Sequence, residues 1–315
     1  MLMIPVSKEI IWGGDVLKKE YGKTAPFDKI AESWELTVRE NEMCKVANGE
    51  YKGMSVKEVI DISPDEVLGR NCKKYDRFPL LIKFIDAADR LSIQVHPDNE
   101  YALKNEGEFG KTEMWYIMGA EEGAKLVYGL KEGVSLDDFA KAVHEGRTEE
   151  MLNFVPVHPG EVYFIPSGQV HAIGAGILIA EIQQNSNITY RVYDYNRKGA
   201  DGKPRQLHTE KALDVIKLRT TAEIDKIRFS EKTDASDGCE VLASCDYFTV
   251  KKYTVNGSLS LHAEEDSFVS VLVLNAENCT IGGCDAKKGD SFLIPAGSEE
   301  YDIKGSAEII VSKVN

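Results

Sequence analysis

Two histidines and a glutamate are the groups in this 315-residue chain most able to do chemistry together. His96 lies in LSIQVHPDNEYA, Glu113 in GKTEMWYIM and His171 in PSGQVHAIG. Alternate side chains of an extended strand share a face. Ser92, Gln94 and His96 therefore share one face, Leu91, Ile93 and Val95 the other, and Pro97 ends the strand. By the same period Lys111 and Glu113 share a face. Two imidazoles, one carboxylate and the amide oxygen of Gln94 make a mixed nitrogen–oxygen set. Such a set suits zinc, and also Mn, Fe or Co, with room for water or substrate. The remaining histidines lack such company: His144 falls in a helical segment, His158 precedes a turn, and His208 and His262 have no chemical neighbours in sequence. Spacing alone leaves a structural role open for His96 and His171 as well.

Groups of this kind need rigid elements to converge, and the chain supplies many short strands. LLIKFI (81–86), LSIQV (91–95), EMWYIM (113–118), EVYFIP (161–166), ILIAEIQ (177–183), ITYRVY (188–193), FVSVLVL (268–274), SFLIP (291–295) and AEIIVS (307–312) recur between Gly, Pro, Asn and Asp. That density predicts a mainly β sandwich or barrel. A polar row backed by an apolar row suits a barrel wall that encloses chemistry. On 177–183, Glu181 shares a face with Ile177, Ile179 and Gln183; on 188–193, Arg191 shares one with Thr189 and Tyr193. Helical spacing is confined to 55–61, 134–154 and 208–217. One repeat stands out: GEVYFIPSGQVHAI from Gly160 and GDSFLIPAGSEEYDI from Gly289, both G-x5-P-x-G-x2. Copies this far apart imply two related β units. The polar stretch near 220–236 sets the expected boundary, giving 1–225 and 226–315. The second copy has Glu300 in place of His171 and no Gln-x-His upstream. It is expected to have lost metal binding and to serve packing, lid or dimer roles.

The formal net charge is −14. That argues against a nucleic-acid or anionic-membrane partner, since both need a basic face. An anionic substrate would need a local basic cluster, for which Lys83, Lys111, Arg191 and Arg197 are candidates. Lys83 interrupts an apolar run, as a substrate-facing group or as a lysine snorkelling from an edge strand. Glu181 reads as a proton carrier or as a salt-bridge partner of Arg191, and Arg197 in its loop as a phosphate contact or a solvated charge. The six cysteines contain no C-x-x-C pair and read as free thiols in a reducing compartment. No secretory leader or membrane-length apolar stretch is expected, which points to the cytoplasm.

The motif from Gly160 to His171, G-x5-P-x-G-x2-H, resembles the second signature of the cupin superfamily. Gly174 and Ala175 stand where that pattern usually has Asn. Gln94-Val95-His96 resembles its first H-x-H with Gln for the first His, and Glu113 follows after an enlarged gap. S-I-Q-V-H-P-D, G-K-T-E-M-W, P-S-G-Q-V-H-A-I-G, the Glu181-(x9)-Arg191 run and I-W-G-G-D-x-L (11–17) together resemble the type I mannose-6-phosphate isomerase family in its shorter bacterial form. The resemblance covers most of 5–215; the C-terminal part is similar to a second cupin unit. It implies a double cupin, one zinc ion per chain and an aldose–ketose interconversion of mannose 6-phosphate and fructose 6-phosphate through an enediol. Carried over residue by residue, it gives Gln94, His96, Glu113 and His171 as metal ligands, Arg191, Glu181 and Lys111 as catalytic groups, and Lys83 and Ser92 as substrate contacts. Arg197 is added as a phosphate contact. The expected partner is a phosphorylated hexose, with neither nucleic acid nor membrane, and the chain a monomer or homodimer. The rival readings are another metal cupin, an epimerase or oxygenase, or a non-catalytic sugar-phosphate-binding homologue.

Overall fold

The computed structural model describes residues 1–199, 202–233, 238–298 and 300–315. Its N-terminal β unit has two facing antiparallel sheets. One runs in space through Val162–Ile165, Glu113–Ala120, Ile177–Gln184, Leu80–Ala87, Glu32–Leu36 and Val6–Lys8. The other runs through Leu152–Pro156, Lys125–Leu130, His171–Ala172, Ile93–Val95 and Tyr190–Tyr193. The sheets share an apolar interior: Ile85, Trp115, Ile117, Ile177 and Ile179 of the first join Leu126 and Ile173 of the second side in one buried cluster.

The strand Ile177–Gln184 shows how sequence assigns faces. All eight of its residues are buried, as expected of a strand covered on both sides. Ile177 and Ile179 pack in the interior cluster, and Glu181 and Gln183 follow on that same face. Leu178, Ala180 and Ile182 pack outward in a cluster that also holds Phe248, Leu272, Leu293 and Ile310 of the C-terminal unit. That unit is a single sheet, Cys239–Ser244, Phe248–Leu261, Tyr301–Val314, Val269–Ile281 and Cys284–Ala286 in order, with Ser291–Ile294 also paired to Val269–Ile281. A buried polar link joins the units as well. Lys23 Nζ donates to Glu35 Oε2 at 2.7 Å and to the Gly289 carbonyl, while Ser291 Oγ donates to the same Glu35 oxygen at 2.8 Å.

The two copies of the repeat fold alike. Each has a left-handed glycine ahead of its strand (Gly160, φ 92°; Gly289, φ 90°) and another in the turn after it. At the first turn Gly168 (φ +85°) is obligatory twice over, because a Cβ there would lie 2.7 Å from the Val215 carbonyl. Gly174 explains the departure from the usual Asn: any side chain would lie 2.0 Å from the Lys125 carbonyl.

The helices at 55–61 and 208–217 form, as Val56–Ile62 and Thr209–Val215. The one expected over 134–154 stops at His144; Thr148–Met151 is a short 3-10 turn and Leu152–Pro156 a strand. Gly146 at φ 73° ends the helical path. Phe139, Ala212 and Val215 lie on the outer face of the five-stranded sheet against Ile93, Val95 and Val192. Five further helical segments form among the described residues, among them Val16–Tyr21, Asn99–Glu106 and Thr221–Arg228. The last crosses residue 225, and positions 234–236 of the expected break lie outside the described residues. Leu91 departs from its expected face: the strand begins at Ile93, so Leu91 turns into the interior cluster. Tyr193 departs too, because the register slips between Arg191 and Tyr193 and sends Tyr193 to the outer cluster. Lys83 lies in the interior of its sheet, flanked by Trp34 and Glu181, and not on an edge.

Candidate active site

Pairing register brings the chemistry into rows. On the six-stranded sheet Trp34, Lys83, Glu181 and Trp115 stand side by side, and Glu113 pairs with Gln183 one step along. On the facing sheet His171, Gln94 and Arg191 form a row. The two rows meet where His96, Glu113 and His171 converge, with one ligand-capable atom of each within 4.8 Å of the others. All three are essentially removed from solvent.

The imidazoles are set as ligands. Nδ1 of His96 donates to the Ile188 carbonyl at 2.7 Å, and Nδ1 of His171 to the Gln169 carbonyl at 2.8 Å. That tautomer leaves each Nε2 unprotonated, an acceptor facing Glu113 at 3.7 and 3.3 Å. Burial holds His171 neutral, its pKa pushed down to about 3, and burial with the Lys111 ammonium pushes His96 well below its usual value. Both oxygens of Glu113 are buried without a well-formed hydrogen bond. Buried carboxylate oxygens left so are expensive, and a cation is what they lack. Lys111 supplies part of it, its Nζ lying 2.7 Å from Glu113 Oε2 and 3.3 Å from His96 Nε2. Without further positive charge, burial pushes the Glu113 carboxyl upward. The donor set therefore fits a divalent cation. Gln94 turns its amide nitrogen to His171 Nε2 at 3.3 Å; turning the amide over presents its oxygen instead.

A cleft opens beside this group, lined by Lys83, Ser92, Gln94, Lys111, Glu181 and Arg191. Six of the ten residues singled out from sequence thus share it, and three more form the group behind it. Arg197 is the exception. Its guanidinium lies against Asp194 at 2.6 Å and over Tyr195, off the cleft lining. Arg205 lines the cleft instead, its Nε donating to Asp194 at 2.7 Å. Burial and the nearby Arg205 and Arg197 push the Arg191 pKa down, against the pull of Asp194. Two guanidiniums, those of Arg191 and Arg205, thus line the cleft, a charge suited to an anionic group. No motif marks Arg205 in the basic loop YNRKGADGKPRQ.

Glu181 pairs with Lys83 and not with Arg191. Lys83 Nζ lies 3.2 Å from Glu181 and 3.4 Å from Glu32, and Trp115 Nε1 donates to Glu181 at 3.0 Å. Burial disfavours both charges, but the cations Lys111 and Lys83 outweigh it at Glu181, whose pKa falls to about 2. At Lys83 the acids Glu32 and Glu181 likewise outweigh burial and hold it an ammonium. Glu32 was not singled out from sequence. Its signal is its place two residues before Trp34, whose Nε1 donates to it at 2.6 Å.

A family profile described as phosphomannose isomerase type I, catalytic domain, matches residues 1–122, and one described as mannose-6-phosphate isomerase, cupin domain, matches 239–314. The chain is 40% identical over 312 residues to a mannose-6-phosphate isomerase of Bacillus subtilis, covering 98% of this chain and 96% of that one. It is 38% identical to a mannose-6-phosphate isomerase of Streptococcus mutans, covering 97% and 95%. The crystal structure of a Bacillus subtilis mannose 6-phosphate isomerase aligns with a TM-score of 0.88 at 35% identity, over 99% of this chain and 98% of that one.

Proposed function

Because the chain belongs to the type I mannose-6-phosphate isomerase family, we infer that it interconverts mannose 6-phosphate and fructose 6-phosphate by metal-assisted proton transfer through an enediol. The observation that carries the reading is the buried His96–Glu113–His171 group at the foot of a cleft with a cationic rim. The metal is zinc, one per chain, held by those three residues and completed by Gln94 oxygen. Bound there, it supplies Lewis-acid polarisation of the sugar's carbonyl and hydroxyl oxygens.

The chain's own groups divide the remaining work. Glu181 takes the proton from C2 of the aldose and returns it to C1, while the hydroxyl proton passes from O2 to O1 and no electrons leave the sugar. Lys83 and Trp115 hold Glu181 as a carboxylate, and Glu32 holds Lys83. Lys111, 4.0 Å from Glu181, faces the sugar oxygens between which that second proton moves. Arg191 opposes the developing enediolate charge, Ser92 contacts the sugar, and Arg205 with Arg191 receives the phosphate. Arg197 then acts from behind, by fixing Asp194.

Residues 1–225 form the catalytic unit in this reading, and 226–315 a cupin unit without a metal set that backs the catalytic sheet. The six unpaired cysteines accord with a cytoplasmic enzyme, and no helix among the described residues is long and apolar enough to cross a membrane. The chain acts as a monomer or homodimer. The test is turnover of mannose 6-phosphate by zinc-loaded protein, followed by NMR in heavy water. Deuterium at C1 or C2 of the recovered sugar is expected. Sugar bound without conversion or exchange would leave a binding protein, and oxygen consumption would point to an oxygenase.

A further inference from the structure

A groove of about 610 Å³, against about 170 Å³ for the reaction cleft, lies on the other side of the Pro166–His171 turn. The 128–134 segment and the 216–224 segment form its walls. Nothing in the proposed reaction uses it. Two of its residues point to a ligand. Gln169 is 5% exposed, and neither atom of its amide has a hydrogen-bond partner among the described residues. The amide lies over Gly129, where a Cβ would come within 2.9 Å of its nitrogen. A polar side chain this buried is normally bonded. Arg219 is half-buried and has no ion pair among the described residues; Nη1 donates to the Ser167 carbonyl at 2.9 Å, and Glu223 and Asp98 act on it only from a distance. The Glu223 carboxylate keeps its charge but is turned to the Thr220 amide and hydroxyl, both at 2.8 Å, and forms no ion pair with Arg219. A half-buried guanidinium without a counter-ion favours an anion. The hydroxyl of Thr221 and the amide of Asn153 also line the groove and suit neighbouring hydroxyl groups.

We propose that this groove is an effector site for a small anionic polyol, such as a sugar phosphate or sugar acid, and that it acts on the metal site through Gln169. The anion lies against Arg219 and a hydroxyl against the Gln169 amide. The backbone carbonyl of that same residue accepts the His171 Nδ1 proton at 2.8 Å. Moving Gln169 therefore moves the support of a metal ligand.

The experiment uses zinc-loaded full-length enzyme with 6-phosphogluconate, a phosphorylated polyol acid that cannot be isomerised. Calorimetry should find two sites per chain, one of them the reaction cleft. Since saturating substrate displaces probe from the cleft, an effect on kcat reports the groove alone. Arg219→Ala and the unbranched Gln169→Met should each weaken one site about ten- to hundredfold and remove the kcat effect, and Arg219→Ala should leave probe-free turnover intact. Arg219→Lys should fold normally and retain weak binding, which controls for loss of the Ser167 contact. One site or none in the wild type, a second site that survives both substitutions, or a second site whose filling leaves kcat unchanged overturns the proposal. Probe-free turnover is measured in the same series, so failure of the isomerase reading registers separately.

Discussion

Arg205 and Arg197 offer a matched pair of perturbations for the phosphate contact. Both pair with Asp194, at 2.7 Å through Arg205 Nε and 2.6 Å through Arg197 Nη2, and each is about one-fifth exposed. Truncating either to alanine removes a pair with Asp194, and Arg197→Ala removes a 3.5 Å contact with Asp89 as well. What differs is the cleft, which Arg205 lines and Arg197 does not. A charge-assisted hydrogen bond to phosphate contributes roughly 1.5–3 kcal/mol. Arg205→Ala should therefore raise KM for mannose 6-phosphate by about ten- to hundredfold, with a smaller effect on kcat. Arg197→Ala removes its contacts with Asp89 and the Arg90 carbonyl but reaches the cleft only through the far side of Asp194, an effect there of about 1 kcal/mol or less, or a KM rise of about fivefold at most. The assay couples fructose 6-phosphate formation to a dehydrogenase across a substrate series. It is repeated with unphosphorylated mannose, against which the two variants should not differ. An Arg197→Ala defect equal to or larger than that of Arg205→Ala would refute the assignment.

Glu181→Gln should lower kcat by about a hundred- to ten-thousandfold and abolish deuterium exchange, while metal analysis finds zinc content unchanged. Glu32→Gln should lower kcat less and leave KM within a few fold, since it acts through Lys83; a KM-only defect would contradict that. Chelation should remove turnover and zinc together, and His171→Ala should prevent reloading, as read by metal content after dialysis. Asp194 is held below its ordinary pKa because Arg205 and Arg197 outweigh its burial. Its clamp is thus complete above about pH 4 and lost only as pH falls through the depressed value. KM should accordingly rise first below about pH 6, where the substrate's phosphate gains a proton, and Asp194→Asn should raise KM without moving that point. Glu35→Ala strands the Lys23 ammonium beneath the C-terminal unit and should cost about 3–5 kcal/mol in urea unfolding, whereas the exposed Lys57–Asp61 pair should contribute about 0.5 kcal/mol or less.

Much of the site was legible because strand alternation is local. Gln94 with His96, Lys111 with Glu113, and Glu181 with Gln183 followed from a period of two, and the structure puts each pair on one face. Alternation failed where a strand was shorter or slipped: Leu91 precedes the first residue of its strand, and Tyr193 follows a register shift. Helical reach was misjudged after His144, because Met151 and Phe154 continue an apolar spacing that Gly146 interrupts in space. What sequence spacing could not supply was the crossing between sheets. Glu113 hangs from the six-stranded sheet and both histidines from the five-stranded side, so their meeting rests on closure of the unit and was reached through resemblance. Arg205 was missed for a similar reason: a loop with several basic residues does not reveal which one turns inward.

The strand Ile177–Gln184 has one further consequence. Its Glu181 lines the cleft, and Ile182 beside it faces the C-terminal unit. The second unit is thus the plaster behind a tiled wall: whatever loosens it shifts the tiles. A cut near residue 225 would bare Phe84, Met114 and Ile182 to water on the back of this sheet, so the unit with the cleft is not separable from the unit packed behind it. Trimming Ile182 to alanine, a change of about 2–5 kcal/mol at a packed site, should register first as lost alignment of Glu181. The second unit then has a physical reason to remain in the chain.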